Sequence, residues 1–222
     1  MEASRVAPDV ASYTAAIGAC SRGGDLPAAL ELFEKMRDPL GARPAGLGGA
    51  PKMKTGAGGG GGDGAEVGKM KSGVPKADAQ AYGAAAAACA RGLDSKAALR
   101  LLGEMREAGL RPGRPMFGAV IDACARRGKW EQAVALLEEM TDSGVAPAIR
   151  HYSSAIFACS LGENPNKGLE LLSLMQKRRV RANSTCVNAA IHGFALLGEC
   201  DTALEILEDM ERAYQVVPDA VG

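Results

Sequence analysis

The chain has 222 residues, with 26 Lys and Arg against 26 Asp and Glu, so its formal net charge at pH 7 is zero. That balance excludes a uniformly basic nucleic-acid binder relying on counterion release over its whole surface, though not a local basic face. The hydrophobic share of 47% suffices for a core. The longest apolar runs, such as Ala84–Ala90, fall far short of the roughly 20 residues a membrane span needs.

Taken in chain order, residues 1–10 carry Glu2 and Asp9 and have no apolar stretch, so no signal peptide is read there, nor an Arg-rich, acid-poor transit segment. Residues 1–9, ending Val6-Ala7-Pro8-Asp9, read as the tail of a preceding unit, and the chain is expected to be part of a longer one. Residues 10–38 form a first repeat carrying Tyr13, Cys20, Ala29 and Met36. From Asp38 to Pro75 the pattern breaks, with 13 Gly and 4 Pro in 38 residues, including the run Gly58–Gly62. Lys35-Met36-Arg37, Lys52-Met53-Lys54 and Lys69-Met70-Lys71 recur there every 17 residues, so residues 39–75 read as a flexible insertion made by tandem duplication. It holds no GxxxxGK[ST] phosphate loop.

Residues 76–222 carry four consecutive units, 79–113, 114–148, 149–183 and 184–219. Met105, Met140, Met175 and Met210 are spaced by 35, as are Cys89, Cys124, Cys159 and Phe194, and Tyr82, Phe117, Tyr152 and Val187. Within a unit, Phe117, Val120, Ile121 and Cys124 mark one amphipathic helix, and Trp130, Ala133, Val134, Leu137 and Met140 a second. Gly23-Gly24, Arg91-Gly92, Arg127-Gly128, Leu161-Gly162 and Leu197-Gly198 close the first helices. Asp25, Asp94 and Asn164-Pro165 open second helices, and Pro112, Pro147 and Pro218 end units. One helix pair cannot hide its apolar stripe alone. The expected fold is therefore all-α, a right-handed α-solenoid of stacked helix-turn-helix repeats of 35 residues.

Six cysteines without a CxxC pair, and only His151 and His192 to assist them, speak against a zinc site or a disulfide framework. Cys20, Cys89, Cys124 and Cys159 fall on the apolar stripe as small core residues of a reducing, intracellular protein. No metal site, no cofactor, no membrane and no small-molecule substrate is expected. With no catalytic constellation in view, the chain is read as not an enzyme.

The segments Tyr13 to Gly24 (YTAAIGACSRGG), Ala29 to Met36 (ALELFEKM), Ala98 to Gly109 (ALRLLGEMREAG) with Leu110-Arg111-Pro112, and Asn188 to Gly193 (NAAIHG) resemble the pentatricopeptide repeat (PPR). The array also looks like the repeat region of protein-only RNase P, whose metallonuclease domain has no counterpart here, since no Asp cluster lies outside the repeats. The resemblance implies single-stranded RNA binding with about one base per repeat, usually in mitochondria or plastids; without it the localisation reads as cytoplasmic. It also implies that the residue after the aromatic and the last residue of each unit face the base edge. Those pairs are Thr14 with Asp78, Gly83 with Gly113, Gly118 with Ala148, Ser153 with Asn183, and Asn188 with Asp219. Family pairing would give guanine, adenine and uracil to the Thr14, Ser153 and Asn188 units. The two middle pairs offer no side-chain hydrogen bond, and the last unit has one extra residue before Pro218. By the same resemblance Ala11, Gln80, Pro115, Arg150 and Thr185 sandwich bases, and only Arg150 has a plane that stacks strongly.

Charge sorts by helix. Over 11–22, 80–91, 115–127, 150–161 and 185–197 the bases are Arg22, Arg91, Arg126, Arg127 and Arg150 and the one acid is Asp122, a net of +4. Over 25–37, 94–108, 129–143, 164–177 and 199–213 there are 9 bases and 17 acids, a net of −8. In PPR-like arrays the first helices line the concave groove, so Arg126 and Arg127 are expected to meet the RNA backbone, together with Lys177, Arg178, Arg179 and Arg181 at a unit border. For that border cluster a helix C-terminus favouring cations is an equal explanation. Two other readings stay open. One is a protein-binding α-solenoid without base readout, which the glycine pairs and acidic second helices favour. The other is the RNA-recognition arm of a nuclease whose catalytic domain lies outside this chain.

Overall fold

The computed structural model of the chain describes residues 8–37 and 77–213, with side chains as far as Asp209. The insertion at 39–75 and Asp219 lie outside the described residues. Ten helices fall there in five pairs, with no strand among them: α1 (Val10–Gly23) and α2 (Leu26–Arg37), α3 (Ala79–Arg91) and α4 (Ser95–Glu107), α5 (Arg114–Ala125) and α6 (Trp130–Asp142), α7 (Ile149–Leu161) and α8 (Pro165–Lys177), α9 (Ser184–Leu196) and α10 (Cys200–Ala213). None is long and apolar enough to cross a membrane. The architecture is an all-α solenoid.

Six of the ten helices, α1, α2, α3, α4, α8 and α9, start where a short polar side chain satisfies an orphan N–H group, an arrangement worth about 1 kcal/mol per cap. The second helices follow the sequence expectation: Asp25 accepts from Ala28 N at 3.0 Å, Asp94 from Ala97 N at 2.9 Å and Asn164 from Lys167 N at 3.3 Å. First helices use a further column. Asp9 accepts from Ser12 N at 2.8 Å, Asp78 from Ala81 N at 2.8 Å and Asn183 from Cys186 N at 3.1 Å.

The turns inside the pairs need one left-handed residue, at Gly24, Leu93, Gly128, Glu163 and Gly198. Gly92 and Gly162 stand one residue earlier, at φ −76° and −93°, so the left-handed turn does not require them. They serve close approach instead. A Cβ on Gly92 would lie 2.5 Å from Leu26 Cδ2, and one on Gly162 only 2.5 Å from the carbonyl oxygen of Gly128 in the preceding unit.

The first helices pack successively on one another, whereas the second helices pack on first helices and not closely on their own kind. Side-chain size explains the difference. Helix α3 buries Ala81, Ala85, Ala86, Ala88 and Cys89, which let helix axes approach, while second helices carry Leu, Met and long charged residues. Ion pairs span the wider outer layer, Arg37 to Glu104 at 2.5 Å and Arg106 to Glu139. The inner layer is therefore the shorter, concave one.

The repeat columns form the core. Met36, Met105, Met140 and Met175 are fully buried, as are Phe117, Tyr152 and Val187. Cys89, Cys124 and Cys159 are buried too, and loss of solvent pushes each thiol up to about 11, which keeps it protonated and unreactive. Cys20 is half-buried, Cys186 buried and Cys200 exposed. The first pair docks on the second although the insertion separates them in sequence. The Phe33 ring meets Tyr82 edge-on at 4.9 Å, and Arg91 donates to the Ser21 carbonyl at 2.7 Å and to its hydroxyl.

Candidate functional site

The concave face carries two grooves. The larger, about 910 Å³, runs across α1, α3 and the start of α5, between Thr14, Gly18 and Arg22 on one side and Gly83, Arg111 and Pro115 on the other. The Arg22 guanidinium lies over Gly18, its Nη1 in ordinary contact distance, 3.6 Å, of where a Cβ would stand. Thr14 is the one described residue with a buried side-chain oxygen that has no hydrogen-bond partner. An orphaned hydroxyl costs about 1–3 kcal/mol, and it belongs to a residue that lines the larger groove.

The second groove, about 330 Å³, lies between the C-terminal half of α5 and helices α7 and α9. It is lined by Asp122, Arg126, Ser153, Ser154, Phe157 and Thr185 among others. Arg126 pairs with Asp122 at 3.2 Å, which fixes its guanidinium at the rim. Ser153 donates its hydroxyl to the Arg150 carbonyl at 3.0 Å, so its remaining capacity is as an acceptor.

Not every expected site residue lies on these grooves. Asp78 and Asn183 stand at helix N-termini, where each spends one oxygen on a cap, and Asn183 keeps its NH2 group as a donor. Asn188 is half-buried on α9. Arg127 is exposed just past the end of α5. Lys177, Arg178 and Arg179 follow one another at the end of the outer helix α8 and line neither groove. The Arg178 guanidinium donates to Thr141 Oγ1 at 2.9 Å and to the Tyr152 hydroxyl at 3.2 Å, tying α8 to α6 and α7. Arg179 occupies a left-handed turn at φ 57°, the step where Gly109 and Gly144 stand in earlier units. Arg181 is exposed.

One groove residue and one buried histidine beside the groove face carry roles that the sequence reading did not assign. Arg111 lines the larger groove, and a signal for it existed, since it stands two 35-residue steps before Arg181. His151 is fully buried between α7 and α5. Ala148 has no side chain to cap α7, and His151 reaches back to accept from Ala148 N at 2.9 Å through Nδ1. The ring proton therefore sits on Nε2, which faces the Arg114 carbonyl at 3.4 Å across the unit border. Burial holds this imidazole below its ordinary 6.5, and Arg150 and Arg114 push the same way. The unfolded chain takes up the proton as pH falls through 6.5 while the folded one resists, so stability is lost on acidification. The urea midpoint is expected to drop between about pH 7 and pH 5. That dependence should shrink in His151→Ala, and an equal drop in the variant would assign it elsewhere.

Among the residues lining the two grooves the cations are Arg22, Arg111 and Arg126, and the one acid is Asp122, itself paired. No cluster able to hold a metal ion exists among the described residues. The face offers cationic groups, hydroxyls and small-residue hollows for a chain of flat, polar-edged units.

The comparisons agree with that layout. Residues 81–220 match the family described as the pentacotripeptide-repeat region of PRORP, and residues 11–38 match the PPR repeat. No curated protein matches the chain. Among solved structures, the pentatricopeptide repeat protein PPR10 of maize, in complex with an 18-nt psaJ RNA element, is similar with a TM-score of 0.71 and 26% identity. The match covers 97% of this chain and 26% of PPR10, so the chain spans about a quarter of that protein's length. The PPR domain of Arabidopsis thaliana PRORP1 in complex with tRNA shares the fold with a TM-score of 0.62 at 15% identity, over 92% of this chain and 90% of that one. A. thaliana nuclear PRORP2 does so at 0.63 and 16%, over 90% and 38%. This chain belongs to the pentatricopeptide-repeat family, with residues 81–220 in its PRORP repeat-region branch.

Proposed function

We propose that this chain binds single-stranded RNA along the concave face of its first helices, with about one base per unit. The observation that carries the reading is the sorting of charge: the grooves hold Arg22, Arg111 and Arg126, with Asp122 alone as a paired acid, in a chain of zero net charge. PPR10 and PRORP1, crystallised with RNA, share this architecture and support it. In this reading Thr14 with Asp78, Ser153 with Asn183, and Asn188 with Asp219 take base edges. Arg126, Arg127 and Arg181 serve the backbone, joined by Arg22 and Arg111, while Lys177, Arg178 and Arg179 stand at the end of the outer helix α8, off both grooves. The units are 10–38, 79–113, 114–148, 149–183 and 184–219. The role is organelle RNA processing, stability or translation, in mitochondrion or plastid.

The match of residues 81–220 to the PRORP repeat region favours a second reading, the RNA-recognition arm of a nuclease whose catalytic domain lies outside this chain. Both readings need the same groove. The double variant Arg22→Ala, Arg111→Ala is expected to weaken binding evenly across RNA sequences. It should also flatten the dependence of log affinity on log salt by about 0.7 for each phosphate that is no longer engaged. Unchanged affinity and slope would remove the larger groove from the RNA path.

A further inference from the structure

The third unit carries no polar side chain at the two positions, Gly118 and Ala148, where the fourth unit has Ser153 and Asn183. The space over Gly118 is nonetheless occupied. A Cβ built there would lie 3.2 Å from His151 Nε2 and 3.7 Å from Arg150 Cζ, so the guanidinium of the next unit folds over the glycine. His151, the other group beside that position, is held by its contacts with Ala148 and Arg114. Arg150 itself is exposed and forms no ion pair among the described residues. The nearest groove acid, Asp122, is taken by Arg126.

The same register recurs one unit earlier with another outcome. A Cβ on Gly83 would meet Pro115 Cβ at 3.9 Å, so there the following unit supplies a ring with no hydrogen-bond donor. The residue one step into each following first helix thus covers the glycine before it. In the second unit that cover is apolar. In the third it is a planar fork of five N–H donors.

We propose that Arg150 is the base-reading residue of the third unit, its guanidinium standing in for the side chain missing at Gly118 and selecting guanine. Guanine offers O6 and N7 as adjacent acceptors, the pair that an arginine fork engages bidentately. A guanidinium used only for stacking would accept every base alike. The assignment rests on the reading of the groove as an RNA path.

The test is selection from a randomised single-stranded RNA pool by the full chain, by Arg150→Ala and by Arg150→Lys. The unaltered chain should enrich guanine at the position directly adjoining the one set by the fourth unit, apart from the guanine assigned to the Thr14 unit, and the variants are judged at that position alone. Both variants should lose that enrichment and keep the others, because Lys retains the charge but not the fork. Affinity of Arg150→Ala for the selected RNA should fall about tenfold or more. The assignment is overturned if the variants keep the guanine preference, if another base is enriched there, or if affinity falls equally for all four bases. Failure of all three proteins to bind RNA would instead sink the RNA reading itself, and this assignment with it. Since Arg150 is exposed, unchanged far-ultraviolet circular dichroism is expected throughout.

Discussion

Phe33→Ala is expected to cost about 3–5 kcal/mol and to release α1 and α2 from the other four pairs. Phe33 is fully buried, and its ring meets Tyr82 of the next unit at 4.9 Å with the planes 70° apart. Truncation removes an aromatic contact that holds the first pair on the second and leaves a cavity at the junction. The junction is also closed by the packing of α1 and α2 on α3, by Leu26 against Gly92 and by the Arg91–Ser21 and Arg37–Glu104 contacts, though ion pairs as exposed as the last add at most about 1 kcal/mol. In a stack of repeats stability is a sum of unit and nearest-neighbour terms, so the damage should stay local. The chain has a single Trp, and Trp130 opens α6, two units away. In urea, circular dichroism should show a new early phase for Phe33→Ala while the Trp130 fluorescence transition barely moves. A joint shift of both signals would mean that the array unfolds as one cooperative body.

Gly162→Ala is expected to lose about 1–3 kcal/mol, or more, for a single added methyl group. The added Cβ would stand 2.4 Å from Trp130 Cδ1 and 2.5 Å from the carbonyl oxygen of Gly128. Neither neighbour yields easily: one belongs to a rigid indole, the other to the backbone of the preceding turn. The two units must therefore move apart, and the Trp130 emission should change with the loss of stability. Gly103→Ala is the control, because nothing lies within 4 Å of its added Cβ and α4 is helical there. Replacing a helical glycine by alanine where the added Cβ meets open space stabilises by about 0.5–1 kcal/mol. Equal stability of Gly162→Ala and the unaltered chain would contradict the close approach of the units.

The contrast between these glycines shows what was legible in the sequence. Columns at a step of 35 located the core, because a residue that always faces the same neighbour keeps its chemistry; Met105, Met140 and Met175 are all fully buried. The same columns put a turn near Gly92 and Gly162 but did not separate two reasons for glycine. The left-handed residues there are Leu93 and Glu163, and the glycines beside them serve contacts with the previous unit. Which reason applies depends on the distance between units, and no local pattern encodes that.

The site was legible to a lesser degree for a related cause. Cations were traceable by helix, so Arg22 and Arg126 were found on the concave face. Lys177, Arg178 and Arg179 read from sequence as one cluster, yet Arg178 is engaged by Thr141 and Tyr152, residues 37 and 26 positions away. The final-position residues Asp78 and Asn183 cap α3 and α9, a use that the spacing of the units did not separate from base contact. The cover of Gly118 by Arg150 was hidden because it crosses a unit border, with the glycine on α5 and the guanidinium on α7. Periodicity describes what each unit repeats and is silent on what one unit lends to the next.

The most direct test of the concave face as an RNA path is equilibrium binding of the full chain to a randomised single-stranded RNA pool and to duplex DNA over a range of salt. A charge-sorted groove with hydroxyl and amide edges predicts saturable binding to the single strand, weakening with salt at a slope of about −0.7 per phosphate engaged, and clearly weaker binding to the duplex. Equal affinity for the duplex, or no binding to RNA at low salt, would contradict it.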